Sequence, residues 1–224
     1  MPGEGRSGLF RGGRGLGFDP EEAVRAVAAA DPELARVIAG LGPFALRTNA
    51  LHSPFSALLE AIVYQQLTGK AAATILDRVC ALARPRRFPR PEDIRRLRAD
   101  RLRAAGLSRA KVLAVKDLAA KTLDGTVPTL ARLRRMPDEE ILERLTSIRG
   151  VGRWTVEMLL IFRLGRPDVL PTTDYGIRKG FQRAFGLARL PTPGEIAARG
   201  EAWRPYRTVP SWYLWRAVDG DGAF

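Results

Sequence analysis

Residues 141–162, ILERLTSIRGVGRWTVEMLLIF, constrain the chain more than any other stretch. Two runs with apolar residues at helical spacing flank a turn, Ile148-Arg149-Gly150-Val151-Gly152. The spacing predicts one helix ending at about Thr146 and a second starting near Arg153, burying Val156, Leu159, Leu160 and Phe162. Glycine accepts a positive φ and carries no side chain to hold off a close neighbour. Backbone N–H groups from about Gly150 to Arg153 are then exposed at a turn and helix start, where they suit a phosphate. Such contact reads a nucleic-acid backbone and not its bases. Alone, a Gly-x-Gly turn favours a plain helix–helix connection.

The rest of the chain repeats the helical period. Asp19-Pro20 opens DPEEAVRAVAAADPELARVIAGL, and Ser53-Pro54 opens SPFSALLEAIVYQQLTGKAAATILDRVCALA, in which Gly69 is expected to end one helix and let another start. Ser108 and Gly125 bound a further helix, Gly106 ends another, and Pro137-Asp138 starts the one before the hairpin. Strand-like alternation flanked by hairpin turns is missing from the sequence, as are repeats. The expectation is an all-α chain of about ten helices with short loops.

Of 224 residues, 37 are basic and 24 acidic, a net charge of +13. That balance points to a polyanion, either nucleic acid or an acidic membrane surface. Only five of the basic residues are lysine, so a compositional preference for arginine competes with this reading. Between Arg84 and Lys121 stand thirteen basic residues against four acidic ones (Glu92, Asp93, Asp100, Asp117), a run that suits a solvated face or a DNA contact. A single cysteine, Cys80, and a single histidine, His52, exclude disulfides, zinc fingers and cysteine-ligated iron–sulfur clusters within one chain. Cys80 lies in an apolar stretch and is expected to be a small core residue. Without 18 consecutive apolar residues nothing is expected to span a membrane, and no helix has the paired apolar and basic faces of an interfacial anchor. Residues 1–18, rich in Gly and Arg, are expected to form a flexible tail. LTGKAAAT and GGRGLG lack the context of phosphate-binding loops.

The hairpin resembles that of the helix-hairpin-helix DNA glycosylase superfamily. There the hairpin is followed by a Gly/Pro-rich loop ending in an aspartate, and LGRPDVLPTTDYGIRKGF (164–181) stands at that distance. IVYQQLTGKAA (62–72), LRAAGLSRAKVLAVKDLA (102–119) and WRPYRTVPSWYLWR (203–216) are similar to the 3-methyladenine DNA glycosylase II (AlkA-like) branch. The resemblance implies a bilobal helical domain over residues 19–224, with hairpin 142–162, catalytic loop 164–175, and hairpin and aspartate facing a cleft. It implies a monofunctional enzyme of base excision repair that hydrolyses the N-glycosidic bond of alkylated purines, of the 3-methyladenine and 7-methylguanine type, in duplex DNA.

The same resemblance implies the roles of individual residues. Asp174 is the catalytic carboxylate, with Asp168 as fallback and an N-cap role as the plain alternative. Trp154 stands where bifunctional relatives carry a Schiff-base lysine, which argues for base removal without strand cleavage. Trp154, Trp215 and Met158 are the expected pocket residues, although both tryptophans also suit a core. Met158 replaces a tyrosine of the best-known relative, and Thr173 stands where many relatives have a second aspartate. Gly150, Val151, Gly152, Arg153 and Thr155 are expected to meet DNA at the hairpin. A wedge that fills the gap left by a flipped base falls in YQQLT: Gln66, or else Gln65 or Leu67, with internal bridging as the alternative for the glutamines. Arg178 and Lys179 are expected to hold phosphates. Backbone carbonyls of Thr146, Ile148 and Val151 are expected to bind a sodium or potassium ion. No required cofactor and no iron–sulfur cluster are expected. The expected partner is duplex DNA containing alkylated bases, with no membrane; the protein is expected to be a monomer, in the cytoplasm at the nucleoid. The competing readings are a glycosylase for deaminated or oxidised bases and a non-catalytic helix-hairpin-helix DNA-binding protein.

Overall fold

A computed structural model describes residues 15–83, 85 and 88–219. Its helices are α1 (Pro20–Ala30), α2 (Pro32–Leu41), α3 (Pro54–Tyr64), α4 (Gly69–Ala81), α5 (Pro91–Arg96), α6 (Ala99–Ala104), α7 (Arg109–Leu123), α8 (Leu130–Arg135), α9 (Asp138–Thr146), α10 (Arg153–Phe162), α11 (Tyr175–Ala184), α12 (Pro193–Gly200) and α13 (Thr208–Asp219), with a 3₁₀ turn at Glu201–Trp203. No strand occurs among the described residues, as the sequence predicts. Thirteen helices stand where the periodicity predicts about ten. The increase comes from short helices with their own caps. Asp31-Pro32 repeats the Asp19-Pro20 signal and splits one stretch into α1 and α2. Thr129 caps α8. Gly69 opens α4 and does not end α3, which stops at Tyr64 with Gln65 as its C-cap. Residues 65–68 therefore form a loop of their own.

Within the described residues the chain forms two compact units, one of residues 50–156 and one of residues 15–49 with 157–219. In the first, α7 is the spine against which α3, α5 and α6 pack. Leu58, Leu59, Ile62, Ile94, Leu102, Val115 and Leu118 are fully buried there. The lysines of α7 cap its neighbours. Lys116 Nζ donates to the carbonyls of Arg95 (2.8 Å) and Leu97, and Lys121 Nζ to that of Ser147 and to Asp117 Oδ2 (3.1 Å). Part of the basic run thus serves as internal caps, while Arg95, Arg96, Arg98, Arg101, Arg103 and Arg109 are exposed. Arg84, Arg86 and Arg87 lie outside the described residues.

The second unit is built on aromatic packing. Trp203 and Tyr213 are fully buried among Val27, Leu34, Ile177, Phe181 and Leu214. Gly17 and Phe18, which the sequence places in the flexible tail, are held in this unit: the Gly17 N–H donates to the Gly165 carbonyl (3.1 Å) and Phe18 packs on the rings of Phe44 and Tyr206. Residues 1–14 and 220–224 lie outside the described residues. Among the described residues no helix is long and apolar enough to cross a membrane.

Asp31 organises this unit. Its carboxylate is 6% exposed and caps α2 through the N–H groups of Glu33 and Leu34 (both 3.1 Å). It also receives the Arg199 guanidinium in a two-point contact (2.7 Å each) and the Trp203 indole N–H (2.9 Å). Burial, the largest influence, pushes the carboxyl pKa up. The Arg199 bond, the Leu34 N–H and the Trp203 N–H outweigh it and bring the pKa down from 3.8 to about 2. A folded-state pKa below the unfolded one gives stability that is fully present above about pH 4 and is lost as pH falls towards 2. Asp31→Ala leaves Arg199 and Trp203 without this acceptor. It is expected to cost about 2–4 kcal/mol in denaturant unfolding at pH 7. The variant is also expected to show a shallower loss of stability than wild type between pH 4 and pH 2.

Candidate functional site

The first group of site residues lies in the unit of residues 50–156. Helix α9 ends at Thr146 and α10 starts at Arg153, as the sequence predicts. The turn between them rests on α7. Gly150 has φ +77°, and a Cβ on it would lie 3.2 Å from Ala114 Cβ. Asp117 Oδ2 accepts the Arg149 N–H (2.7 Å), and Lys121 holds the Ser147 carbonyl. Val151 corrects the expectation of exposed N–H groups from Gly150 to Arg153: its N–H donates back to the Ile148 carbonyl (3.0 Å) and its side chain is buried. Thr155 is buried as well, so its side chain packs the hairpin and does not face outward. Gly152 and Arg153 are exposed at the start of α10. A Cβ at Gly152 would meet nothing within 4 Å, so packing does not require glycine there. The bare position leaves room for a close ligand.

Loop 65–68 lies against this turn. Gln65 Nε2 donates to the Gly150 carbonyl (2.8 Å), so internal bridging is the outcome for this glutamine. Gln66 is exposed with φ +57°, the one non-glycine residue with positive φ among those described. A left-handed conformation costs a residue with a Cβ about 1–2 kcal/mol. Leu67 beside it is 40% exposed. Backbone strain beside an exposed apolar side chain makes this loop a candidate for contact with a ligand. Lys111 Nζ fixes its base by donating to the carbonyls of Val63 (2.8 Å) and Gln65 (2.7 Å), and burial lowers the ammonium pKa. Lys111 and Asp117, which the sequence places only in a charge run suited to a solvated face or a DNA contact, instead hold loop and turn from the α7 face that carries Ala114.

The second group lies in the other unit. The turn Pro171-Thr172-Thr173-Asp174 closes with the Asp174 N–H on the Pro171 carbonyl (3.0 Å). Asp174 is the N-cap of α11, and its Oδ1 accepts the Ile177 N–H (2.8 Å) and the Trp215 Nε1–H (2.9 Å). The plain N-cap role is therefore present, together with a second donor that fixes the carboxylate's orientation. Trp215 is half-buried, and its ring lies 5.7 Å from that of Phe162. Phe162 is itself half-buried where burial is expected, whereas Val156, Leu159 and Leu160 are buried as the spacing predicts. Asp168, the fallback carboxylate, is held by Arg204 (2.6 Å) and by two contacts from Arg207 (2.6 and 2.9 Å), which makes it a structural ion pair.

Two glycines of GIRKG bring α13 against α11. A Cβ on Gly180 would sit 1.8 Å from the Leu214 carbonyl oxygen, and one on Gly176 would sit 2.9 Å from Trp215 Cδ1 and 3.0 Å from Asp174 Oδ1. The residues between them depart from expectation. Arg178 Nε donates to the Pro191 carbonyl (2.9 Å) and Lys179 Nζ to Gln182 (3.0 Å), so both are half-buried and tied within the unit. Trp154 is 47% exposed, which removes the core reading for it, and Met158 is half-buried. Tyr175, overlooked in the sequence, directly follows Asp174 and is 65% exposed. Cys80 is half-buried; burial, then Asp77 and Glu60, raise its pKa to about 11 and leave it a poor nucleophile. His52 is exposed.

A glycine turn joining α9 to α10, seated on a supporting helix, defines a helix-hairpin-helix protein. The chain belongs to the HhH-GPD superfamily of base excision DNA repair proteins, whose family model matches residues 59–205. It is 42% identical over 170 residues to DNA-3-methyladenine glycosylase 1 of Schizosaccharomyces pombe, covering 76% of this chain and 75% of that protein. It is similar to a solved structure of the 3-methyladenine DNA glycosylase Mag1 of that yeast in complex with abasic DNA (TM-score 0.78, 36% identity, 89% of this chain and 98% of that one). A solved DNA-3-methyladenine glycosidase of Bacillus halodurans is likewise similar (TM-score 0.80, 34% identity, 88% of each chain).

Alanine normally stabilises a helix interior by about 1 kcal/mol over glycine. Gly180→Ala should do the opposite, because its methyl meets a backbone carbonyl that no rotamer change can move. A loss of about 1–3 kcal/mol, read as a fall in Tm of roughly 2–10 °C, is expected.

Proposed function

We propose that the protein is a monofunctional DNA glycosylase that removes alkylated purines, of the 3-methyladenine and 7-methylguanine type, from duplex DNA. The carrying observation is the Asp174 carboxylate, fixed through one oxygen by the Ile177 and Trp215 N–H groups, in a member of a base excision repair family. When the glycosidic bond breaks, its electron pair leaves with the base and positive charge develops at the sugar C1′. A fixed carboxylate stabilises that charge. Water then forms the C1′–O bond and gives up a proton, the step for which Asp174 is the assigned base.

An alkylated purine is already cationic, so it departs as a neutral base without a strong acid. This suits a chain whose single histidine is exposed. Cationic bases also stack well on electron-rich rings, at about 0.5–2 kcal/mol each. Trp154 is the pocket aromatic we favour, and Met158, four residues further along α10, supplies an apolar side chain; Trp215 serves by holding Asp174. Having no amine, Trp154 cannot form a Schiff base. Gly150, Gly152 and Arg153 are assigned to the DNA backbone and Gln66 to the gap left by the flipped base, with Leu67 against the neighbouring pairs. Carbonyls of Thr146, Ile148 and Val151 supply neutral hard oxygens that fit a sodium or potassium ion; the Ile148 oxygen also accepts the Val151 N–H. The proposed working form is a monomer at the nucleoid.

The test uses duplex DNA treated with a methylating agent. Release of free 3-methyladenine or 7-methylguanine, resolved by chromatography, is expected, with the strand intact until alkali is added and no borohydride-trapped adduct. Release of uracil, hypoxanthine or an oxidised base alone would overturn the substrate class. A trapped adduct would overturn the monofunctional mechanism.

A further inference from the structure

Gln65 joins the two elements of the first unit that are assigned to DNA. Its backbone is the C-cap of α3 and the first residue of the loop carrying Gln66, while its side chain donates to the carbonyl of Gly150 in the hairpin turn (2.8 Å). The same residue is held from the other side, since Lys111 Nζ donates to its carbonyl (2.7 Å) and to that of Val63 (2.8 Å). Lys111 lies in the first turn of α7, and the hairpin glycine rests on Ala114 one turn further along that helix. The hairpin is fixed to α7 again by Asp117 and Lys121. Loop, hairpin and α7 therefore close a ring of backbone-directed hydrogen bonds in which Gln65 is the only direct link described between the loop and the turn.

We propose that Gln65 is a positioning residue that sets the strained Gln66 at a fixed distance from the hairpin, so that a backbone phosphate gripped at Gly150–Arg153 aligns the wedge with the damaged pair. The inference rests on the glycosylase reading above. The turn that carries Gln66 is closed by the Leu67 N–H on the Tyr64 carbonyl (3.3 Å), and the strain at Gln66 persists only where its surroundings over-determine it. Gln65 and Lys111 add to that constraint by fixing the turn to the hairpin and to α7. Gln65 acts through Gln66 and the hairpin.

Gln65→Met keeps the length and flexibility of the side chain and deletes its donor. Lys111→Met deletes the two carbonyl contacts from the other side and guards against a result peculiar to position 65. Each full-length variant is compared with wild type on an alkylated duplex carrying 2-aminopurine beside the lesion. The readouts are duplex affinity, the fluorescence rise on base flipping, single-turnover release and Tm. Both variants are expected to bind duplex within about threefold of wild type; Gln65→Met, which loses one neutral hydrogen bond, should flip and release the base about three- to tenfold more slowly, and Lys111→Met, which loses two charge-assisted bonds, at least about tenfold more slowly. Gln65→Asn, which keeps a donor on a shorter arm, should recover part of the rate. Flipping equal to wild type in both methionine variants overturns the proposal, as does a loss of affinity or Tm parallel to the loss of rate, which would make the contacts merely structural. A wild type that binds duplex yet neither flips nor releases the base overturns the glycosylase reading itself, and this inference with it.

Discussion

The approach of α11 to α13 is the constraint on which the candidate active site depends. With a carbonyl oxygen 1.8 Å from where a Cβ of Gly180 would stand, only glycine allows the two helices their spacing. That spacing puts the Trp215 indole N–H 2.9 Å from Asp174 Oδ1 and its ring edge over Gly176. A wider separation would remove the indole donor and leave Asp174 Oδ1 with the N-cap bond from Ile177. With the second donor the carboxylate has one orientation, as electrostatic stabilisation of a developing cation requires.

Charge in the first unit is spent differently from what its sequence suggests. The basic run 84–121 reads as a solvated face or a DNA contact, yet Lys111, Lys116 and Lys121 point inward along α7 and cap carbonyls on α3, the α5–α6 connection and the end of α9. A lysine that spans two carbonyl oxygens satisfies helix-end groups that would otherwise need water. Among the described residues, Arg90, Arg95, Arg96, Arg98, Arg101, Arg103 and Arg109 stay exposed and contribute a positive field that favours a polyanion.

Helix placement, the hairpin and the capped aspartate were legible because each rests on local chemistry. Asp19-Pro20, Ser53-Pro54 and Ser108 cap where their side chains can reach the next turn's N–H groups, and Gly150 takes the positive φ expected in the hairpin. What was not legible depends on partners far along the chain. Nothing near residue 65 announces the Gly150 carbonyl 85 positions later, and nothing near Asp168 announces Arg204 and Arg207. The spacing of Gly176 and Gly180 did carry a signal, small residues four apart on one helix face. Val151 and Thr155 show the same limit, since a hairpin's pattern says which residues form it and not which of them turn inward.

The account stands on Asp174 as the carboxylate that serves the glycosidic bond, and single-turnover base release by Asp174→Asn tests it most directly. Asparagine keeps an oxygen for the Ile177 and Trp215 N–H groups, so the fold and duplex affinity should hold while the charge is lost. The expected result is a release rate lower by about 10²–10³ with unchanged duplex binding. A variant that releases the base within tenfold of wild type would contradict the assignment and leave Asp174 as a cap alone.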